Sequence, residues 1–365
     1  KQGTTSGEII IEGNVNVSTG TTYTSGPENL TVTDNFTLPG ISDDKPSVGT
    51  TRFNENLGAL EFYTGVEWKA VNYYIDMGNR GRGVFMTGRD GGLLSVIDYI
   101  QIQTIGNAID FGEVLDSGEC PAACSSSTRG VLMGGETPAY DAAMEYITIA
   151  SKGNAISFGD NTQGRGGGNN ACSSSTRGIN GAGRYSPAHS NGSNILDYIQ
   201  ISTLGNALDF GDMTYSTIWI ASFSSPTRGF WCGGSVSPTQ VANIDMATIA
   251  SKGNAVDFGN LAEERQSVNG MSNSVSAVIT GGYGNSVYKK GLDVLIMASQ
   301  GNAVRFADAS TELNVPTTAA SEIRGVFGGG MNSPYPNVLE YVTFASLGDV
   351  TDFGDLTKGR GGAGG

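Results

Sequence analysis

The scarcest chemistry-bearing residues of this 365-residue chain are one histidine, His189, and four cysteines, Cys120, Cys124, Cys172 and Cys232. A single imidazole supplies neither a multi-histidine zinc or copper site nor a haem pair, and a Ser-His-Asp triad would rest on it alone. The cysteines form no Cys-x-x-Cys and no Cys/His spacing suited to a metal. Cys124 and Cys172 hold the same place in two copies of one phrase, AACSSSTRG and NACSSSTRG, which reads as a small apolar strand position. Whether Cys120 pairs with Cys124 is left open at this level.

Carboxylates are plentiful: 35 Asp+Glu against 21 Lys+Arg give a net charge of −14. Two of them could in principle flank a glycosidic bond, but no pair stands out from a repeating background. The expectation is therefore a protein that is not an enzyme, with no catalytic residues. Glycine-rich segments lack the lysine and helix of a phosphate loop, and no D-x-D-x-D-G calcium loop occurs. No cofactor and no metal are expected. The acidic balance argues against nucleic acid as partner. No apolar run reaches membrane-spanning length, so no membrane insertion is expected, and no basic-then-apolar leader opens the chain. The first residue is Lys1 and not Met, which reads as a chain whose true start is missing.

What must position these residues is a repeat. Six copies of one phrase, such as MEYITIASKGNAISFGD and LDYIQISTLGNALDFGD, have turn glycines Gly106, Gly153, Gly205, Gly253, Gly301 and Gly348, spaced 47, 52, 48, 48 and 47 residues. A second phrase, Arg-Gly-(apolar)-x-x-Gly-Gly, precedes each copy; the fifth departs from it, reading SAVITGG from Ser276. A Ser/Thr-rich stretch comes before that. Apolar residues alternate with period two: Ile147 and Ile149 in one strand, Ile156 and Phe158 in the next. Lys-Gly-Asn between them reads as a tight hairpin turn. Four short strands in about 48 residues predict one propeller blade, and six copies predict six blades. The C-terminal TKGRGGAGG repeats TQGRGGG at 162–168, so it is expected to complete the blade that Arg82 begins; the alternative donor is VNYYIDMGN at 71–79.

Recurring arginines (Arg82, Arg129, Arg177, Arg228, Arg324) and recurring acids (Asp98, Glu145, Asp197, Asp245, Asp293, Glu340) read as structural pairs between strands or blades. The segments joining second and third strands differ from copy to copy. Variable loops on a repeated scaffold are the usual place for binding. Arg89, Tyr140, Tyr185, His189, Tyr283, Tyr288 and Tyr335 lie in them and are the candidate binding residues, tyrosine being suited to sugar rings and protein interfaces.

The repeat length and the diglycine after the second strand resemble kelch-type propellers, with Tyr or Phe where the blade tryptophan stands. The wording RGVFxGG…IDYITIAS.GNAxDFGDL is closer still to repeat arrays in predicted virion proteins of tailed phages, including those of cyanobacteria. Ahead of the repeats, residues 1–42 are Thr/Ser/Asn-rich with short alternating strands and read as an extended shaft or attachment segment. Residues 43–78 read as a small β-meander adaptor, with strands over 43–71 and Phe53, Phe62, Tyr63 and Trp68 as its apolar side. The phrase KPSVGTTRFNENLGALEFYTGVEWKAV resembles a module of phage tail-fibre proteins. The expected whole is an all-β chain with a six-bladed kelch-like β-propeller over 79–365 behind that N-terminal segment. The resemblance implies a virion protein assembled in the host cytoplasm and carried on the extracellular particle. Its role would be a tail-fibre or tail-associated adhesin; the alternatives are a capsid- or tail-decorating protein and a polysaccharide depolymerase. Implied partners are other virion proteins through residues 1–78 and a host surface glycan or protein, and the texture of residues 1–40 predicts a homo-oligomer, a trimer.

Overall fold

The computed structural model describes residues 3–5, 8–10, 48–54, 59–70, 81–136, 139–168, 170–185 and 192–365. The chain divides into two compact units, Lys1–Ile75 and Asp76–Gly365. The protein is all-β: among the described residues every regular element is a strand and none is helical.

In the first unit, Gly3–Thr5 pairs with Glu8–Ile10; residues 11–42 of the expected shaft and 43–47 of the expected adaptor lie outside the described residues. Thr51–Asn54, Ala59–Tyr63 and Trp68–Ala70 form an antiparallel sheet in that order. Its apolar side differs from the expected set. Adjacent strand residues point to opposite faces, so Tyr63 is buried while Phe62 is exposed. Glu61 is buried beside Tyr63's face and is held by Arg52 at 2.8 Å, whose guanidinium lies 4.0 Å from the Trp68 ring centroid. The side chain of Phe53 lies outside the described residues.

Among the described residues, the second unit contains six antiparallel sheets of three or more strands in chain order, with two short two-stranded ribbons beside them. The second sheet is representative: Ala122–Ser125, Arg129–Glu136, Tyr140–Thr148 and Ile156–Asp160 pair sequentially, from inner strand to outer strand. Asn170–Ser173, Ala221–Ser224, Asn269–Ser272 and Thr317–Ala320 are the inner strands of the third to sixth sheets. The first sheet is built on Arg82–Met86, Leu94–Gln101 and Ile109–Gly118. Second strands are buried on both faces, as Gly130–Met133 are: Val131 and Met133 pack into a cluster shared with the third sheet and Leu132 into one shared with the first.

One expectation about facing fails in five of the six sheets. Phe158 is buried, but Ile156 is 58% exposed, as are its counterparts Ile109, Leu208, Val256 and Val304 to similar degree. A register shift between third and outer strand occurs in all six sheets; in the second, Glu145 faces Ser157 while Met144 faces Gly159. The extra residue, Phe158, breaks the two-residue alternation, so the bulge turns it inward and leaves Ile156 out.

The Gly-Asn-Ala turn is the joint between sheets. Gly153 N and Ala155 N donate to Phe111 O and Glu113 O of the first sheet at 3.0 and 2.8 Å, and Asn154 Oδ1 accepts from Glu113 N at 3.1 Å. The same set links the second to the third sheet, the third to the fourth and the fourth to the fifth. It also links the sixth to the first, where Gly106 N donates to Phe353 O at 2.9 Å. At each joint the glycine of Phe-Gly lies under the turn: a Cβ on Gly112, with φ of +156°, would overlap the Gly153 carbonyl. The junction of fifth and sixth sheets is different in both partners. Ala307 replaces that glycine and Gly-Asp-Val replaces Gly-Asn-Ala, and there Phe306, Ala307, Leu347 and Val350 all pack against one buried cluster that includes Phe327 and Phe344.

The C-terminal segment pairs with the first sheet. Met86 and Gly364 exchange hydrogen bonds of 2.7 and 3.0 Å, and Arg89 and Gly361 do so at 2.9 and 3.1 Å. Arg360, fully buried, reaches Asp98 of the first sheet at 3.0 Å. Residues 71–79, the alternative donor, lie outside the described residues. Deleting residues 358–365 strands the Asp98 carboxylate in the interior. Removing one member of a buried pair costs about 3–5 kcal/mol, so the melting temperature is expected to fall by roughly ten degrees or more. Calorimetry of the truncated chain checks this; an unchanged melt would mean that the segment holds nothing together.

Candidate functional site: the loop face and the inner cavity

Two kinds of connection meet on one face of the second unit. At every junction, the segment entering a sheet hydrogen-bonds the loop between that sheet's second and third strands. Glu119 and Glu136 exchange bonds of 3.0 and 2.8 Å, Ile218 and Ser235 of 3.2 and 2.9 Å, and Gln266 and Tyr283 of 2.9 and 2.7 Å. Arg165–Gly166 pairs with Arg184–Tyr185, Met331 N donates to Asn314 O, and Arg89 pairs with Gly361. The variable loops are therefore strapped down at their bases.

The candidate residues fall on this face with different surroundings. Arg89 is exposed and holds Glu119 at 2.8 Å, and that pairing raises the guanidinium pKa further. Tyr140 and Tyr185 are half-buried in the paired segments at the loop bases, Tyr140 opposite Glu136 and Tyr185 opposite Arg165. Tyr283 and Tyr288 face each other across a tight hairpin, ring centroids 5.3 Å apart, with Tyr288 exposed. Tyr335 is half-buried next to Gly359. His189 lies outside the described residues. The structure thus brings two of the tyrosines together as an aromatic pair; it does not gather the full set into one pocket.

Beneath these loops the acids of the third strands are used structurally, though not with the arginines expected. Arg165 meets Asp197 at 2.8 Å, Arg265 meets Asp293 at 2.8 Å and Arg360 meets Asp98 at 3.0 Å, all buried. Each arginine comes from the segment following a five-residue outer strand, Ile156–Asp160, Val256–Asn260 or Thr351–Asp355. At the three alternate junctions the outer strand runs ten residues, Ile109–Gly118, Leu208–Thr217 or Val304–Leu313, and its backbone replaces the arginine. There Glu145 accepts from Leu115 N at 2.8 Å, Asp245 from Thr214 N and Oγ1 at 2.7 Å, and Glu340 from Ser310 N at 3.2 Å.

The Arg-Gly arginines do something else. Arg82, Arg129, Arg177, Arg228 and Arg324 donate Nη1 to carbonyls of a neighbouring sheet: Ile149, Ile201, Ile249, Met297 and Ile102. Four of them also lie over a tyrosine of their own sheet; Arg82 is 4.6 Å from the Tyr99 centroid, and Tyr99 meets Phe111 edge-on. A guanidinium that stacks on a ring keeps its donors free in the ring plane, which suits a carbonyl cluster at a strand end.

The inner strands of the second to sixth sheets, with the strand Arg82–Met86 of the first and Gly365, line one cavity of about 220 Å³. Its wall carries a belt of serines that sequence reading had treated only as strand texture. Ser173 Oγ donates to Ser125 O at 2.8 Å, Ser224 Oγ to Ser173 O at 2.7 Å and Ser272 Oγ to Ser224 O at 2.8 Å. Asn170 and Asn269, ninety-nine residues apart, meet amide to amide at 3.2 Å. The signal was present as ACSSST, ASFSS and GMSNS at a repeat spacing of about 48. All four cysteines are buried and free, so Cys120 and Cys124 are not joined, and burial pushes the Cys124 thiol up to about 12. Among the described residues no cluster of His, Cys, Asp and Glu is arranged to hold a metal ion.

A scan against models of protein families finds no match to this chain, and a search of curated proteins finds none.

Burial is the largest influence on Glu145, Asp197 and Asp245 and raises all three carboxyl pKa values. The folded chain thus binds protons more readily than the unfolded chain as pH falls toward the ordinary carboxylate range. Stability is expected to rise, not fall, between neutrality and about pH 5. Thermal melts across that range check it, and in Asp245→Asn the gain on acidification should shrink. Because the thiols are buried and protonated, a disulfide-exchange reagent should label none of the four in the native state and all four in denaturant.

Proposed function

We propose that residues 81–365 form a closed six-bladed β-propeller and that it is the non-enzymatic recognition head of a virion attachment protein. Closure is supported by the series of sheet-to-sheet bonds, which returns from the sixth sheet to the first through Gly106–Phe353 and Arg324–Ile102. The function rests chiefly on one observation: six loops of different sequence are strapped at their bases to one face of a scaffold whose joints are nearly invariant. A rigid frame that varies only in its loops is an economical way to recognise a surface, and each weak contact gains from multivalent display. The virion setting comes from the resemblance of the repeat phrase and of the N-terminal module to phage proteins. The acids with raised pKa values are all committed to sheet junctions, so none is left aimed at a substrate. The favoured ligand is a host surface glycan or protein, with Tyr283 and Tyr288 as its aromatic platform.

The test is binding of the purified chain to host cells or to their surface polysaccharide. The double variant Tyr283→Ala/Tyr288→Ala is expected to lose about tenfold or more in affinity, the equivalent of about 1.4 kcal/mol, with an unchanged melt because these rings are not core. No reducing ends should appear in the glycan. Antibody labelling of particles gives the setting: label on tail or fibres supports the adhesin, label over the head makes the protein a decoration protein, and no label removes the virion reading.

A further inference from the structure

Arginines stacked on aromatic rings recur in this chain, and all but one of them also hand a donor to an oxygen. Arg82, Arg129, Arg177 and Arg324 lie over tyrosines and donate Nη1 to a carbonyl of another sheet. Arg52 lies 4.0 Å from the Trp68 centroid and holds the Glu61 carboxylate at 2.8 Å. Arg184 repeats the stack, 5.5 Å from the Trp219 centroid, without the oxygen. Among the described residues no hydrogen bond or ion pair ends on its guanidinium, and Nε is buried without a partner. Every other described arginine of residues 81–365 has such a partner. The adjoining loop residues 186–191 read SPAHSN and bring no carboxylate.

The pair is built into the loop face. Arg184 opens the short strand Arg184–Tyr185 that straps the third sheet's loop to Arg165–Gly166. Its stem lies along Gly167, with Cδ 3.0 Å from where a Cβ would stand. Gly168 makes room for the ring, since a Cβ there would overlap both the backbone and the indole of Trp219. Trp219 is held at a φ of +60°, uncommon for a bulky residue, and its carbonyl accepts from Ser267 N at 2.8 Å. The ring is half-buried, and its Nε1–H has no partner among the described residues. Nearby acids do not neutralise the guanidinium. Glu119 and Glu136 share with Arg184 an influence on the buried Cys120 thiol, but Glu119 is held by Arg89 at 2.8 Å and Glu136 makes no ion pair with Arg184.

We propose that Arg184, seated on Trp219, is an anion subsite of the loop face that takes the carboxylate of an acidic sugar. The indole fixes the plane of the guanidinium and leaves its two Nη groups as a fork, which matches the two oxygens of a carboxylate. The chain contains the filled version of the same arrangement in Trp68, Arg52 and Glu61, and at Arg184 the ligand supplies the acid. A buried donor without a partner costs free energy, so the arginine is not placed there for stability. Lysine would bring a point charge without the fork. The choice of a sugar as carrier of the carboxylate rests on the recognition reading above; the open guanidinium does not.

The test titrates the full chain with a galacturonate trisaccharide, with its methyl ester and with a sulfated galactose trisaccharide. Binding is followed by NMR at the Trp219 indole N–H resonance, which Trp219→Phe identifies. Expected are a saturable shift with the acid and at least tenfold weaker binding of the ester, which keeps the rings and loses the charge. Arg184→Gln should weaken the acid at least tenfold and Arg184→Lys several-fold, with the melt of both variants no lower than that of the parent chain. If the ester binds as well as the acid, if Arg184→Gln binds like the parent, or if the sulfated probe binds tenfold more tightly than the acid, the proposal is wrong. The recognition reading fails separately. A chain that binds host cells but does not respond to the acid loses the subsite and keeps the recognition head, whereas one that responds to the acid and binds no cell keeps the subsite alone.

Discussion

Everything in the repeat unit hangs on the hydrogen bonds by which the turn of one sheet docks on the outer strand of the sheet before it. The turn gives two N–H groups and one amide oxygen to that strand, and it comes so near that the strand must carry glycine beneath it. These bonds fix the distance and the angle between neighbouring sheets. With both fixed, second strands are packed on two sides, inner strands face a common cavity, and loops emerge on one face. The exception supports the rule: where Ala307 removes the space, the facing turn carries Asp349 in place of the docking asparagine, and apolar side chains of both sheets pack into the same cluster.

Within this frame the sheets alternate in kind. Three junctions are locked by a buried Arg–Asp pair, and the three between them by a longer outer strand that offers backbone N–H groups to the same acid. Burial lowers the pKa of Arg165 and Arg360 and raises that of Asp197, so desolvation costs these charges more than their attraction returns. Such pairs contribute geometry before stability. A guanidinium fork that must satisfy a carboxylate and nearby carbonyls together accepts few arrangements of the entering segment. The loop base bonded to that segment is positioned by the same requirement.

Legibility varied with the range of the interaction. Strand and turn positions were readable because period-two patterning and Gly-Asn turns are local. The bulge at Phe158 was not, since a single extra residue is invisible unless the partner strand is known; Ile156 was accordingly placed inside when it lies outside. The acids at the third strand were recognised as structural, but their partners were misassigned. Arg129 is near Glu145 in the repeat phrase and yet reaches Ile201 O of another sheet, while Arg165, thirty-two residues before Asp197, supplies the charge there. The loop tyrosines were legible as a set. That Tyr283 and Tyr288 form a pair, and that Tyr140 and Tyr185 are built into loop bases, was not.

The sequence by itself determined the repeat, its strand content and the glycines its turns require, because these follow from backbone sterics and from side-chain period within a few residues. It also carried the small serines of the inner strands, though not their purpose. Only the tertiary structure decided which sheet each arginine serves and that serine hydroxyls bridge neighbouring inner strands. Those outcomes depend on groups that lie about thirty or more residues apart and meet only when neighbouring sheets are held at a fixed distance.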